Sequence, residues 1–190
     1  GPSQFGVNKI PAECAFTAPD TVCPGSTHTI SLPSGASSYS WFVSCGTIVS
    51  GQGTNSILWI APSSCNVTCN ISAEVVTGPC PDTCTTSILT QDLVKPVLSG
   101  CPANATVECN AIPAAASVTA TDNCDASVTV TFSETSSLTG CGGYTGTITR
   151  KWVATDDCGN KDSCIQVLTV VDNTKPILSG CPGNITVQCG

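Results

Sequence analysis

Tyr144–Val171 reads YTGTITRKWVATDDCGNKDSCIQVLTVV, and its periodicity decides the fold. From Tyr144 to Thr155, and again from Ile165 to Val171, residues of Val, Ile, Thr and aromatic type alternate with period two. Between these runs stands DDCGNKD, a cluster of the residues that turns prefer. Two alternating runs joined by a polar turn predict paired antiparallel strands. Ser117–Thr121 and Ser127–Phe132 repeat the pattern, with NCDA between them, and TGCGG and DNTKP mark further turns toward the C-terminus. No stretch holds a 3.6-residue period. IPAAASVTA is Ala-rich, but Pro leads it and β-branched residues end it. Short strands at regular spacing predict an all-β chain of antiparallel sandwiches.

A repeat sets the modules. DLVKPVLSGCPANATVEC (Asp92 to Cys109) returns as DNTKPILSGCPGNITVQC (Asp172 to Cys189), with twelve of eighteen positions identical. Asp92 to Val171 is thus one module, bounded on both sides by D-x-x-K-P linkers whose prolines restrict the residue before them. Residues 14–91 form a module of similar length and different wording. Residues 1–13 read as a lead-in linker or strand, and 172–190 as a linker plus the first strand of a next repeat.

Composition narrows the setting. The chain has 190 residues, 10% of them charged, with net charge −7 and only six Lys plus Arg, which argues against a nucleic-acid partner. Hydrophobic residues make up 41%, so disorder is not expected, and no run reaches the roughly 20 apolar residues of a membrane helix. Fifteen cysteines in so weakly charged a sequence indicate a disulfide framework made in an oxidising compartment. Cys65/Cys69 and Cys80/Cys84 have zinc-like spacing, but they lie in a Thr/Ser-rich β context without a neighbouring His. The odd count leaves at least one thiol free or bonded outside the chain.

The stretch from CPANATVECN through VATDDCGNKDSCIQVLTVVDNTKP closely resembles the hyalin-repeat (HYR) immunoglobulin-like module, in the Cys-rich form iterated in large secreted bacterial surface proteins. CPGSTHTISLPSGASSYSWFVSCGTIVSGQGTNSILWI is similar to the PKD-like sandwiches that accompany such repeats, although this module carries seven cysteines, Cys14 through Cys84. The resemblance implies tandem immunoglobulin-like β-sandwiches, disulfide-rich, in an extracellular adhesive or structural array. It carries no catalytic residues.

In an immunoglobulin-like order, strand A lies near Ala105–Cys109, B near Ser117–Thr121, F near Tyr144–Thr155 and G near Ile165–Val171. The ends of B and F then share a pole with the start of A. Those ends carry nearly the same words, TATDNCD and VATDDCGN. Asp122, Asp125, Asp156 and Asp157 are therefore expected to converge where Asp92 arrives, offering the hard oxygen ligands that calcium uses. Turn chemistry alone is the competing account of these residues. By the same placement Cys109–Cys141 is the favoured disulfide. Cys158–Cys164 with Cys101–Cys124 is one of three ways to pair the other four. Cys181 and Cys189 stand eight residues apart on an extended strand, ~25 Å, and so are expected to bond residues outside this chain. Their segment is either the first strand of a following module, the preferred reading, or a strand donated to a neighbouring subunit.

Asn66, Asn70, Asn104 and Asn184 begin N-x-S/T triplets, and Thr21 sits in a D-T-V triplet like a bacterial O-glycosylation signal. The single imidazole, His28, lies in the alternating run STHTI with no nucleophile elbow or phosphate loop in the chain, so no enzyme is expected. Trp41, Trp59 and Trp152 are expected to be buried core residues. The expected function is a structural segment of an extracellular fibre, stalk or repetitive cell-surface protein. Its partners would be copies of itself or adjacent repeats. An adhesin or carbohydrate-binding module is the alternative. No cofactor is expected beyond calcium.

Overall fold

A computed structural model describes residues 14–140 and 144–190; the lead-in 1–13 and Cys141 lie outside the described residues. The fold is all-β. In chain order the strands are β1 (Thr21–Val22), β2 (Thr27–Ser31), β3 (Ser38–Val43), β4 (Thr47–Ser50), β5 (Ser56–Ile60), β6 (Val67–Val76), β7 (Pro81–Thr90), β8 (Val97–Ser99), β9 (Ala105–Glu108), β10 (Thr119–Thr121), β11 (Thr129–Gly140), β12 (Thr145–Thr155) and β13 (Lys161–Val171).

The chain divides into two compact units. The first holds residues 14–98 together with Ala120–Val130 and Ala154–Asp162. It is a sandwich of two sheets, ordered β1-β7-β6-β3 and β2-β5-β4. Alternation builds it: on β6, Cys69, Ile71, Ala73 and Val75 point inward while Thr68, Asn70 and Glu74 face water. Trp41 stands opposite Ala73, and Ala73 opposite Cys84, so small residues on the middle strands make room for the indole. Ile30, Ile57 and Trp59 fill the core from the other sheet. The buried indole N–H groups are satisfied, Trp41 Nε1 donating to Thr54 O at 2.8 Å and Trp59 Nε1 to Cys45 O at 3.0 Å. Gly46 turns β3 into β4 at φ 75°, and a Cβ there would strike the Trp59 ring and Ile60 O. β1 pairs with β7 in parallel, through Thr21↔Leu89 and Val22↔Thr90.

The second unit holds Ser99–Thr119, Thr131–Val153 and Ser163–Gly190. β11, β12, β13 and β9 form a four-stranded sheet in that order, with β9 parallel to β13 from Leu168↔Ala105 to Val171↔Glu108. β10 and β8 make a separate two-stranded sheet, most of whose residues group with the first unit. Ile148, Leu168 and Val170 form the core, flanked by half-buried Val107, Cys109 and Leu138. This core is small, and a buried cation helps organise it. Arg150, 4% exposed, donates to Glu134 at 2.7 Å, to Pro113 O at 2.8 Å and to Ala114 O at 3.3 Å, and so holds the strandless segment 110–118. Arg150→Ala removes the charged donor that ties this segment and Glu134 to β12, and we expect it to lower the unfolding free energy by about 2–3 kcal/mol. Urea denaturation checks this, and a change below about 0.5 kcal/mol would show that the segment is held by something else.

Three sequence expectations shift here. The B run is strand only from Thr119, because Ser117 and Val118 belong to the stretch that Arg150 holds through its carbonyls. The Ser127–Phe132 run begins at Thr129 and continues to Gly140, lengthened by pairing with β12. Three pieces of 92–171 group with the first unit: residues 92–98, which continue from it, and Ala120–Val130 and Ala154–Asp162, each of which is tied to it by a disulfide.

Candidate functional site: an aspartate cluster fixed by two disulfides

β10 and β12 end on the same wording. Thr121 is followed by Asp122-Asn123-Cys124-Asp125, and Thr155 by Asp156-Asp157-Cys158-Gly159-Asn160. In each turn the first aspartate spends Oδ1 on its own loop. Asp122 Oδ1 accepts from the backbone N–H groups of Cys124 (2.9 Å) and Asp125 (3.1 Å), and Asp156 Oδ1 accepts from that of Asn160 (2.8 Å). Asp92, just beyond β7, does likewise with Val94 at 2.9 Å. Turn chemistry is therefore realised at all three positions, and it consumes one oxygen of each.

The same turns bring the three side chains together. Asp92, Asp122 and Asp156 each place a carboxylate oxygen within 4.8 Å of the others. Asp92 and Asp156 are buried. Asn160 Nδ2 bridges Asp156 Oδ2 (2.8 Å) and Asp92 O (3.0 Å). Asp122 Oδ2 is buried with no hydrogen-bond donor, and so is Asp125 Oδ2. Among the described residues the one ion pair is Arg150–Glu134, so no protein cation neutralises this cluster. Carboxylates at such separations repel by about 3–4 kcal/mol per pair at an effective dielectric of about 20. Hard anionic oxygens, one of them without a donor, fit a divalent calcium ion. Asp125 and Asp157 line an adjoining cleft of about 300 Å³ with Asp92, rather than joining the three-oxygen cluster.

Two disulfides hold these turns. Cys23 bonds Cys124, and Cys65 bonds Cys158, across 101 and 93 residues of sequence. Cys23 directly follows β1 and Cys65 precedes β6. Cys14–Cys84 and Cys45–Cys69 lie within 14–91, and Cys101–Cys164 joins β9's approach to β13. The pairing Cys101–Cys124 with Cys158–Cys164 is thus corrected. In the four-residue β9–β13 register Cys101 falls directly opposite Cys164, whereas Cys124 and Cys158 face cysteines of the preceding module. The favoured Cys109–Cys141 pair falls partly outside the described residues; Cys109 has no disulfide partner among those described, nor do Cys80, Cys181 and Cys189. Every near pair of zinc-like spacing is broken up by bonds to other partners. Cysteine pairing in this chain crosses the module boundary, which an assignment confined to each module misses. The shared T-D-(N/D)-C wording is the signal that marks Cys124 and Cys158 as a matched pair.

The remaining candidates are dispersed. Asn66, Asn70, Asn104, Asn184 and Thr21 are all exposed, Asn66 accepting from Gln91 Nε2 and Asn104 from the Val167 N–H. Trp41, Trp59 and Trp152 are buried, as expected, which removes them as sugar-stacking surfaces. His28 is half-buried rather than exposed, and its Nε2 lies 2.7 Å from Ser26 Oγ. Ser26 Oγ donates to the Cys23 carbonyl, which can only accept, so His28 must be the donor to Ser26. That polarity is the reverse of a base activating a serine. The exposed apolar side chains of Ile177, Leu178, Ile185 and Val187 lie in 172–190, which has no strand.

The first unit's sandwich has a counterpart among known families. Residues 10–88 match the family model of a PKD-like domain. No curated protein matches the chain. Among solved structures, titin domains Z1Z2 in complex with telethonin are 19% identical, with a TM-score of 0.44, over 84% of this chain and 97% of that one. The fibronectin(III)-like modules of Clostridium thermocellum CbhA are 15% identical, with a TM-score of 0.32, over 87% and 100%. Protocadherin gamma B2 extracellular domains 3–6 are 14% identical, with a TM-score of 0.32, over 83% and 49%. At these values no property of those proteins transfers to this chain. The PKD-like match agrees with the immunoglobulin-like sandwich of the first unit. The five disulfides mark a chain folded in an oxidising compartment. Among the described residues no helix is long and apolar enough to cross a membrane.

Proposed function

We propose that this chain is a structural segment of an extracellular fibre, stalk or repetitive cell-surface protein, in which HYR-like modules follow a PKD-like one. The carrying observation is the pair Cys23–Cys124 and Cys65–Cys158, which joins one module's turns to its predecessor. A module that only displays a binding loop has no need of such bonds; a module that must keep its place in a series does. The donor polarity of His28 supports a non-catalytic role. Partners are adjacent repeats or further copies of the chain. Electron microscopy and light scattering of native material test the reading. Filaments or rods are expected; a compact monodisperse monomer with a saturable glycan or protein ligand would replace it with the adhesin reading.

Calcium at Asp92, Asp122 and Asp156 belongs to the same proposal, since an ion there would bind the linker to both turns. With calcium at about a hundred times its Kd, unfolding should be opposed by about 2.7 kcal/mol more than in chelator. Scanning calorimetry in calcium and in EGTA reads this as a higher Tm with the ion. The variant Asp122→Asn, which keeps Oδ1 as the acceptor of its turn, should lose the difference, and its Tm in EGTA should be no lower than that of the unsubstituted chain, because the repulsion is relieved. Identical melting of the unsubstituted chain in both buffers would dispose of the ion.

A further inference from the structure

The clustered aspartates and the cysteines that hold their turns share hydrogen bonds. In both turns the cysteine stands two residues after the clustered aspartate, Cys124 after Asp122 and Cys158 after Asp156. Asp122 Oδ1 accepts from the N–H of Cys124 itself, at 2.9 Å. Asp156 closes the turn around Cys158, its Oδ1 accepting from Asn160 N–H at 2.8 Å and its carbonyl from Gly159 N–H at 3.2 Å. Cys23 and Asp92 each follow one end of the same bond, which Gln91 N–H donates to Val22 O at 2.9 Å. Asn123 Nδ2 lies 2.9 Å from Cys124 Sγ and 3.5 Å from Asp92 Oδ1. The cluster also holds unused acceptors. Asp92 is 6% exposed, and its Oδ2 has no donor among the described residues. Asp122 Oδ2 is buried and likewise without one.

Whatever fixes these carboxylates therefore fixes the sulfurs. With no cation between them, like charges push the two turns away from Asp92, and Cys23–Cys124 and Cys65–Cys158 oppose that push. A cation shared by Asp92, Asp122 and Asp156 turns the repulsion into attraction and holds each turn cysteine beside its partner. We propose that calcium binding at this cluster and closure of the two bonds form one coupled switch. Calcium guards both bonds against reduction, and the closed bonds raise the affinity for calcium. Such coupling is reciprocal, each event favouring the other by the same factor at equilibrium. Cleavage by a dithiol passes two electrons and two protons to the pair of sulfurs, and the dithiol itself becomes a disulfide. The ion alters none of that chemistry. It alters how often the turn opens to attack.

This inference rests on the calcium reading above and can fail separately from it. The full oxidised chain is treated with dithiothreitol in calcium and in EGTA, and samples are quenched over time with N-ethylmaleimide. Peptide mass spectrometry then follows the cleavage of each bond. Calcium at about a hundred times its Kd disfavours the open turn by up to about a hundredfold. We expect Cys23–Cys124 and Cys65–Cys158 to be cleaved at least about tenfold more slowly in calcium than in EGTA. Cys101–Cys164, in the second unit, should be cleaved equally fast in both. Asp122→Asn should abolish the protection. Calorimetric titration reads the reciprocal effect: the Kd for calcium should rise about tenfold or more when Cys65 and Cys158 are both replaced by serine. No calcium binding by the oxidised chain overturns the ion and the coupling together. Calcium binding with either turn bond cleaved as fast as in EGTA overturns the coupling and leaves the ion in place. Equal slowing of Cys101–Cys164 does the same, because it marks a general stabilisation of the chain.

Discussion

Replacing Cys65 and Cys158 together by serine is expected to lower the unfolding free energy by about 3–4 kcal/mol. The bond closes 93 residues of sequence, and loop-closure entropy grows only slowly with length, so most of the effect survives even with Cys23–Cys124 closing an overlapping loop. Domains of this size have stabilities of about 5–15 kcal/mol, so the loss is a large share. It should also be local. Ala120–Val130 and Ala154–Asp162 owe their place in the first unit to two S–S bonds and the aspartate turns. Hydrogen exchange at the Asn160 N–H, which Asp156 accepts, should therefore accelerate more than exchange on β6. Guanidinium titration gives the first quantity and exchange mass spectrometry the second. A loss under about 1 kcal/mol, with exchange unchanged, would mean that packing alone fixes these turns.

The second large effect is Trp59→Ala, expected to cost about 3–5 kcal/mol. Trp59 is 0% exposed and faces His28 from the centre of its sheet, with β4 on the other side. Its N–H satisfies the carbonyl of Cys45, whose sulfur is bonded to Cys69 on the opposite sheet. Truncation empties a volume that the bonded strands cannot close, and it orphans a carbonyl. Trp59→Phe keeps most of the buried area and should cost clearly less. Equal destabilisation by the two variants, measured by far-ultraviolet circular dichroism, would assign the effect to the hydrogen bond and not to the volume.

The fold class was legible because alternation survives translation into structure. β12 falls on Tyr144–Thr155 within one residue, and β13 covers Ile165–Val171 but begins four residues earlier, at Lys161, inside the expected turn. The convergence of Asp92, Asp122 and Asp156 was legible for a related reason: strand direction alone dictates which loop ends share a pole. Disulfide pairing was not. Direction says which pole a cysteine reaches, but it does not say whether its partner comes from the same module or the one before. Cys124 and Cys158 had candidates on both sides. Arg150 was equally hidden, since a lone arginine in a β run reads as solvent-facing until the strandless carbonyls of Pro113 and Ala114 are seen to need it.

The register of β9 on β13 bears on what happens when the chain is pulled. Parallel first and last strands put their hydrogen bonds in shear, so tension would have to break the ladder as a whole rather than unzip it. Cys101–Cys164 lies in that same register, four residues ahead of Ala105↔Leu168. Tension entering at Cys101 therefore crosses to Cys164 through sulfur and never reaches the residues between. Cys14–Cys84 gives the first module an equivalent bypass. While oxidised, the chain from Cys14 to Val171 has as its mechanical backbone only the stretches from Cys84 to Cys101 and from Cys164 onward. Most of both sandwiches rides alongside as slack that only a reductant can release.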